Sequence, residues 1–158
     1  GLSCGIGAAA TKKLNGDDSL VYTLHGDGEL QEGQIWEAAI YAAAKKVDNI
    51  IATIDYNGRQ IDGDLEDVIS LGNISEKWQA FGWEVLEMDG HNIDEIKSTL
   101  AKAKSLTGKG KPIVIVMTTE MGQGVDYMMG THKWHGSAPN DEQLASALGQ
   151  LEETLGDY

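Results

Sequence analysis

Residues 20–57 read LVYTLHGDGELQEGQIWEAAIYAAAKKVDNIIATIDYN, and their pattern indicates the fold class. Its apolar start predicts a strand over about residues 19–25. Residues 31–46 then place apolar side chains at helical spacing, and residues 50–55 form a second apolar run. A strand, a helix and another strand in this order predict a βαβ unit, in which the two strands are parallel.

The remainder of the chain continues this alternation of strands and helices. Further helices are predicted over residues 2–14, from Asn73 to Phe81, from Asn92 to about Ser105 and from Asn140 onward, and further strands over residues 83–88 and 113–118. This order is typical of an α/β fold, so we expect a mostly parallel sheet with helices on both faces.

Each of the four predicted strands is followed by glycine beside a polar residue. The four turns are Gly26-Asp27-Gly28, Tyr56-Asn57-Gly58, Asp89-Gly90-His91 and Glu120-Met121-Gly122. The carboxyl ends of parallel strands share one edge of the sheet, and ligands of open α/β folds bind at that edge. One such turn is ordinary, but four on the same edge predict a backbone that approaches a polar ligand.

The composition narrows the class of protein. A chain of 158 residues suits one domain, which we expect to span residues 1–158. The formal net charge is −13 and no basic stripe is present, which argues against nucleic acid and anionic membrane surfaces as partners. The single cysteine excludes an intrachain disulfide, and no apolar run approaches the roughly 20 residues of a membrane span. A reducing compartment fits this pattern, so we expect a cytoplasmic protein.

Asp27 and Asn57 end consecutive predicted strands and lie thirty residues apart in the chain. If those strands are neighbours, their side-chain oxygens can converge. Magnesium binds one or two carboxylates together with neutral oxygens, and glycine amides at a helix start suit phosphate, so the pair is consistent with a magnesium diphosphate. The alternative is structural: Asp27 caps the following helix and Asn57 occupies a turn with positive φ.

Longer segments are more specific than this pair. GDG followed about thirty residues later by an Asn that closes a strand is the fingerprint of thiamine-diphosphate enzymes. The segments GDGELQEGQIWEAA (26–39), DNIIATIDYNGRQIDG (48–63), GWEVLEMDGHNIDEI (82–96) and GTHKWHGSAPNDEQLASAL (130–148) resemble the transketolase family, in the same order. The resemblance runs from about residue 1 to the end, and it is best to the amino-terminal, thiamine-diphosphate-binding subunit of split bacterial transketolases.

The resemblance implies a fold, a metal and a set of site residues. The fold would be the diphosphate-binding domain of the thiamine-diphosphate enzymes, and a further amino-terminal portion of that domain should precede Gly1. The implied ligands of Mg²⁺ or Ca²⁺ are Asp27, Asn57 and the backbone carbonyl of Arg59. The implied cofactor-binding residues are Gly26, Asp27, Gly28, Asn57 and His135, with the amide of Gly28 facing the diphosphate. His135 is similar to the family's active-site histidine.

Several acidic residues and histidines allow more than one interpretation. Glu32 and Glu37 resemble members of an acidic network that couples paired active sites across a dimer interface, although a solvated helix face explains them equally well. Glu120 departs from the family, because many relatives carry a lysine near this position, and this departure leaves the choice of substrate open. His91 begins a capped helix, which suffices to explain it, and His132 is interpreted as a structural or near-site residue.

The resemblance also implies an activity and partners. The chain would be the diphosphate-binding half of a transketolase, which moves a two-carbon ketol unit from a ketose phosphate to an aldose phosphate. A partner subunit would supply the pyrimidine-binding domain, and the assembly would be a dimer of heterodimers. The alternatives are a deoxyxylulose-phosphate synthase, a transketolase for unusual sugars, or a module that binds magnesium diphosphates without catalysis.

Overall fold

A computed structural model of the protein describes residues 1–152. Its main sheet contains four strands, which are β1 (Val21–Gly26), β2 (Ile50–Tyr56), β5 (Glu84–Asp89) and β6 (Ile113–Thr118). All are parallel, and their spatial order is β1-β2-β6-β5. The expectation of an α/β fold with a parallel sheet is confirmed. The single domain over residues 1–158 stays a prediction.

The helices cover the two faces of this sheet. They are α1 (Leu2–Leu14), α2 (Gly33–Ala44), α3 (Leu65–Ile69), α4 (Ile74–Ala80), α5 (Ile93–Leu106) and α6 (Asp141–Leu148). Side chains of α1, α2 and α4 share one buried cluster with β1, β2 and β6, whereas Ala103 of α5 packs with the opposite faces of β2, β5 and β6. Burial of apolar area on both faces therefore holds the sheet between two helical layers.

Strand position explains the pattern of burial along each strand. The central strands β2 and β6 are apolar runs because both of their faces are covered, and Ile51, Ile54, Ile113 and Ile115 are fully buried. The edge strand β1 alternates instead, with Leu24 68% exposed and His25 3% exposed. The carboxyl end of β1 thus directs one polar side chain, His25, into the core beside the first glycine turn.

The predicted helix over residues 31–46 is shorter than expected. Gly28–Gln31 forms a separate 3-10 turn, Glu32 is extended, and α2 begins at Gly33. The indole of Trp36 donates to the carbonyl of Leu30 at 2.9 Å, so packing beneath the turn outweighs continuation of the helix. At the other end, α2 stops at Ala44 because Lys46 adopts a left-handed conformation with φ of 52°.

Two short strands and one short helix lie in a stretch for which the sequence predicts no element. The strands β3 (Arg59–Gln60) and β4 (Gly63–Asp64) form an antiparallel hairpin, and α3 follows it. Arg59 pairs with Asp64 at 2.6 Å across the hairpin, and these contacts leave no periodic pattern in the sequence.

The predicted helix after Asn140 is present as α6 with a complete capping box, and residues 153–158 lie outside the described part of the chain. Within residues 1–152, no helix is both long and apolar enough to cross a membrane.

Candidate functional site

The side chain of Asp27 is buried at the carboxyl edge of the sheet. It is only 1% exposed, although it immediately follows β1. Its Oδ1 accepts from the amide of Gly28 at 2.7 Å, and its Oδ2 accepts from the amide of Gly58 at 2.6 Å. Within residues 1–152, no lysine, arginine or histidine forms a salt bridge with this carboxylate. Asp27 is therefore a buried acid held by backbone amides alone.

The surroundings of Asp27 favour a cation. Burial raises the pKa of the Asp27 carboxyl, the amides of Gly58 and Gly28 oppose this shift only in part, and the charge of nearby Asp55 raises the pKa further. A cation would offset both the lost hydration and the repulsion. The described residues contain no cluster of three or more His, Cys, Asp or Glu side chains around one point.

Asn57 is fixed beside Asp27 by a short hydrogen-bond relay. β1 and β2 are neighbours, and their register places Gly26 opposite Asp55, so Asp27 and Asn57 follow adjacent strand ends. Asn57 Nδ2 donates to Asp55 Oδ2 at 3.3 Å, and the hydroxyl of Thr119 donates to Asp55 Oδ1. The relay from Thr119 through Asp55 orients the amide of Asn57, whose Oδ1 accepts from the amide of Arg59 at 3.0 Å. A carbonyl oxygen has two lone pairs, so Asn57 Oδ1 retains one for a metal.

The glycines of the first turn permit close approach to their neighbours. A Cβ added to Gly28 would lie 2.8 Å from Gln60 Cβ, so only glycine fits between this turn and the hairpin. A Cβ on Gly26 would meet nothing within 4 Å, which leaves an open side at the strand end. The amide of Gly28 donates to Asp27 in this structure, whereas the family resemblance implies that it faces a diphosphate.

A cleft of about 470 Å³ opens at this edge of the sheet. Its walls include Asp55, Asn57, Thr119, His91 and His135, so the structure places the implied active-site histidine and the implied metal ligand Asn57 in one cavity. Leu24, Met117, Met121 and Trp134 add an apolar wall. The cleft thus combines polar groups that can orient a ligand with apolar surface that can pack against one.

The loop that carries His135 is anchored to α6 by hydrogen bonds of Trp134 and Tyr127. His135 is exposed and follows the 3-10 turn His132–Trp134, and its amide donates to the carbonyl of His132 at 3.0 Å. The indole of Trp134 donates to the carbonyl of Tyr127 at 2.9 Å, and the Tyr127 hydroxyl donates to Gln143 of α6. Packing against α6 therefore keeps His135 close to the cleft.

The remaining residues singled out in the sequence lie outside this cleft or in its wall. Glu32 and Glu37 are both exposed, at and after the start of α2. Glu120 lines the cleft, and its Oε1 accepts from the amide of Gly130 at 2.9 Å. His132 faces a separate groove with Arg59 and Asp67.

Sequence reasoning missed three members of the site. Asp55, Thr119 and His91 line the cleft, yet the sequence offered a simpler explanation or none for each of them. Their shared signal is position, because each lies at or just after the carboxyl end of a strand of the main sheet. A search of all polar residues at those four strand ends would have found them.

Comparison with known proteins finds a matching family and similar enzyme subunits. Residues 7–154 match the family described as "Transketolase, thiamine diphosphate binding domain". The chain is 42% identical over 155 residues to a subunit of the apulose-4-phosphate transketolase of Phocaeicola vulgatus, covering 98% of this chain and 54% of the relative. It is 39% identical to 6-deoxy-6-sulfo-D-fructose transketolase subunit SqwG of a Clostridium species, covering 97% and 55%. The chain therefore spans about half the length of these curated relatives.

A solved structure agrees with these sequence relatives. The crystal structure of transketolase from Campylobacter jejuni superposes with a TM-score of 0.82 at 35% identity, covering 94% of this chain and 24% of that one. The match covers nearly all of the chain in both sequence and fold, and it therefore identifies the protein family. The chain belongs to the transketolase family and contains that family's thiamine diphosphate-binding domain.

Proposed function

We propose that this chain is the diphosphate-binding half of a transketolase and that it binds thiamine diphosphate through a divalent metal, Mg²⁺ or Ca²⁺. One observation carries the proposal: the buried carboxylate of Asp27 is held only by amides and lies beside the fixed amide of Asn57 and the charge of Asp55. A divalent cation satisfies this arrangement, and a diphosphate supplies the further oxygens that Mg²⁺ prefers.

The proposed metal ligands are Asp27, Asn57 and the backbone carbonyl of Arg59. Asp27 would contribute charge, and the two neutral oxygens would complete the protein's share of the coordination sphere. The open side of Gly26 leaves room for phosphate oxygens at the strand end. For Gly28 to face the diphosphate, its amide would have to turn from Asp27 as the metal takes over that carboxylate.

His135 is the proposed catalytic residue of this chain. When bound, thiamine diphosphate would supply the electron sink that making and breaking bonds between carbons requires. The imidazole of His135 lines the cleft beside Asn57 and can hold or move a proton at an oxygen of the diphosphate or of the sugar. Its exposure is consistent with a cleft that is open in the isolated chain.

The proposed reaction transfers a two-carbon ketol unit from a ketose phosphate to an aldose phosphate. The relatives from Phocaeicola vulgatus and Clostridium are named as transketolase subunits, which supports a partner subunit that carries the pyrimidine-binding domain. We extend the proposal to a dimer of heterodimers in the cytoplasm, in which the exposed Glu32 and Glu37 would belong to an acidic network that couples the paired active sites across the interface. The pentose phosphate pathway is the proposed setting.

A second candidate is a transketolase for an unusual sugar. The two relatives above act, by their names, on apulose 4-phosphate and on 6-deoxy-6-sulfo-D-fructose. The described wall of the cleft contains Asp55 and Glu120 but neither lysine nor arginine, so it offers no side chain of those two types to a phosphate or sulfonate group. Either substrate class would then need its anionic group to bind outside this wall.

The test uses the native complex with its partner subunit. Ketol transfer from xylulose 5-phosphate to ribose 5-phosphate should require Mg²⁺ and thiamine diphosphate, and product analysis with other sugars separates the two candidates. In His135→Ala, kcat/KM should fall by on the order of 10²-fold, the scale for a lost acid–base group. Metal-dependent binding of the cofactor should change far less in that variant.

The exposed Asp62 of the hairpin supplies the matched control, since Asp62→Ala should leave both rate and binding unchanged. Unchanged turnover in His135→Ala would remove the catalytic role of this residue. Cofactor binding that is independent of metal would contradict the proposed site as a whole.

A further inference from the structure

One hydrogen bond ties the turn after β5 to the loop after β6, and a second joins the two ends of that loop. The amide of Glu120 donates to His91 Nε2 at 2.8 Å. The carboxylate of Glu120 in turn accepts from the amide of Gly130 at 2.9 Å. His91 and Glu120 both line the cleft that also contains Asn57 and His135. A side chain explained in the sequence by its place before a helix thus makes a defined contact at the candidate site.

Close packing holds His91 in position for this contact. A Cβ on Gly90 would lie 2.5 Å from Thr119 Cγ2 and 2.6 Å from Met117 Cγ, so only glycine lets the turn approach β6 this closely. The amide of Gly90 donates to the carbonyl of Thr118 at 2.8 Å. The amide of His91 donates to Asp89 Oδ1 at 2.8 Å. In this contact Nε2 of the imidazole is the acceptor.

The second bond closes the loop on itself. Residues 120–130 leave the sheet and return, and the contact between Glu120 and Gly130 joins the two ends of this excursion. Directly after it, the Thr131 hydroxyl accepts from the amide of Lys133 and caps the turn His132–Trp134, which His135 follows. The position of His135 is therefore fixed from one side by α6 and from the other by Glu120 and His91.

We propose that His91 is a positioning residue for His135, acting through Glu120, and that together they hold the loop of residues 120–135 over the cleft. The inference rests on the proposed function for its effect on rate, because it assumes that His135 acts there. The tie itself is a property of the fold and can be measured without turnover. In this proposal the carboxylate of Glu120 has a role as a hydrogen-bond acceptor.

The first test compares His91→Ala with His91→Gln in the native complex. The glutamine Oε1 can accept from the Glu120 amide in place of Nε2, whereas alanine cannot. Hydrogen exchange of residues 120–131 should become on the order of fivefold faster or more in His91→Ala and stay within about twofold of the parent in His91→Gln. Over the same pair, kcat/KM should fall about tenfold in the alanine variant and recover in the glutamine variant. Lys97→Gln is the control, because this exposed side chain of α5 lies outside both the loop and the cleft.

A second pair keeps the proposal testable if His91→Ala does not fold. Glu120→Gln retains an oxygen that can accept from Gly130, and Glu120→Ala removes it. The glutamine variant should match the parent, and the alanine variant should show faster exchange at residues 128–131 with a lower kcat/KM.

Exchange that is unchanged in the alanine variants would overturn the proposal, as would glutamine variants that behave like alanine. Faster exchange in the alanine variants with no change in kcat/KM would also overturn it, because the loop would then not position His135. If the parent complex has no ketol transfer, the proposed function fails and the positioning of His135 fails with it, while the exchange data still establish whether the tie exists.

Discussion

The two edges of the sheet carry clefts of nearly equal size, but the buried aspartate at each edge has different partners. The cleft at the amino edge measures about 450 Å³ and the cleft at the carboxyl edge about 470 Å³. A buried aspartate lies at each edge, Asp48 before β2 and Asp27 after β1. Asp48 binds Lys13 Nζ at 2.5 Å and the Gly110 amide at 2.8 Å, whereas Asp27 binds two amides and no cationic side chain of the described residues.

This difference in partners shifts the pKa values of the two aspartates in opposite directions. Burial acts to raise the pKa of Asp48, but the hydrogen bond and charge of Lys13, with the amide of Gly110, hold that pKa below its usual value. Burial raises the pKa of Asp27, and no cationic side chain within residues 1–152 reverses the shift. Cavity size alone does not distinguish a binding site from a structural groove here. The buried carboxylate of Asp27 is the place at which we propose that a metal adds stability.

The largest expected effect is the loss of metal-dependent cofactor binding in Asp27→Ala. Removing the carboxylate takes away the only charged ligand proposed for the metal, so affinity for Mg²⁺-thiamine diphosphate should fall by on the order of 10²-fold or more. Calorimetric titration of the native complex measures this change. If the affinity of Asp27→Ala for Mg²⁺-thiamine diphosphate stayed within a few-fold of the parent's, the carboxyl edge would not differ from the amino edge in metal binding through its buried aspartate.

Lys13→Ala should affect stability instead of binding. The substitution leaves the Asp48 carboxylate buried with the Gly110 amide as its remaining partner, at a cost of about 1–2 kcal/mol in the free energy of unfolding. Denaturant unfolding measures the loss, and cofactor affinity should not change. Lys12→Ala is the matched control, because Lys12 pairs with the exposed Asp17 and should cost less. Equal losses in the two variants would show that Lys13 does not complete a buried pair.

A smaller effect is expected for Asp55→Asn. Asparagine can keep both hydrogen bonds, to Thr119 and to Asn57, because the threonine hydroxyl can reverse its role. The change therefore removes a negative charge near the metal with little change in shape, and metal affinity should fall about threefold to tenfold. Titration with Mg²⁺ in the presence of the cofactor measures it. A higher affinity for Mg²⁺ in this variant would mean that repulsion between the Asp55 and Asp27 carboxylates outweighs the attraction of Asp55 to the cation.

The smallest effect near neutral pH is the proton's competition with the metal. The pKa of Asp27 is raised in the folded protein, so its protonated form persists to higher pH than that of an ordinary aspartate. Metal affinity should therefore be full above the raised pKa and decline as pH falls through it, beginning above the usual range of a carboxylate. Asp48 has a lowered pKa, so its contribution to stability is lost only at more acidic pH. If metal affinity and the free energy of unfolding declined over the same pH range, the predicted difference between the pKa values of Asp27 and Asp48 would be contradicted.

The sequence predicted the parts of the site that depend on one βαβ unit. Apolar runs located β1 and β2, and the residues that end them, Asp27 and Asn57, needed only the adjacency of two consecutive strands. The start of α2 was less predictable, because burial of the 3-10 turn beneath Trp36 is a tertiary contact.

The contacts made by Asp55, Thr119 and His91 could not be predicted because they depend on strand order. β6 follows β5 in the chain but lies between β2 and β5 in the sheet. Only this order brings Thr119 to Asp55 on one side and Glu120 to His91 on the other. The local pattern at each of these residues, a polar side chain after a strand or before a helix, is compatible with a purely structural role.

The difference between the edges is tested most directly by the shift in melting temperature that Mg²⁺ and thiamine diphosphate cause in the native complex. At about 100 times the dissociation constant, binding should add about 2.7 kcal/mol of stability, a rise of several degrees. Lys13→Ala should start from a lower melting temperature and show the same rise, whereas Asp27→Ala should show almost none. An equal rise in Asp27→Ala, or none in the parent, would contradict a metal-binding carboxyl edge.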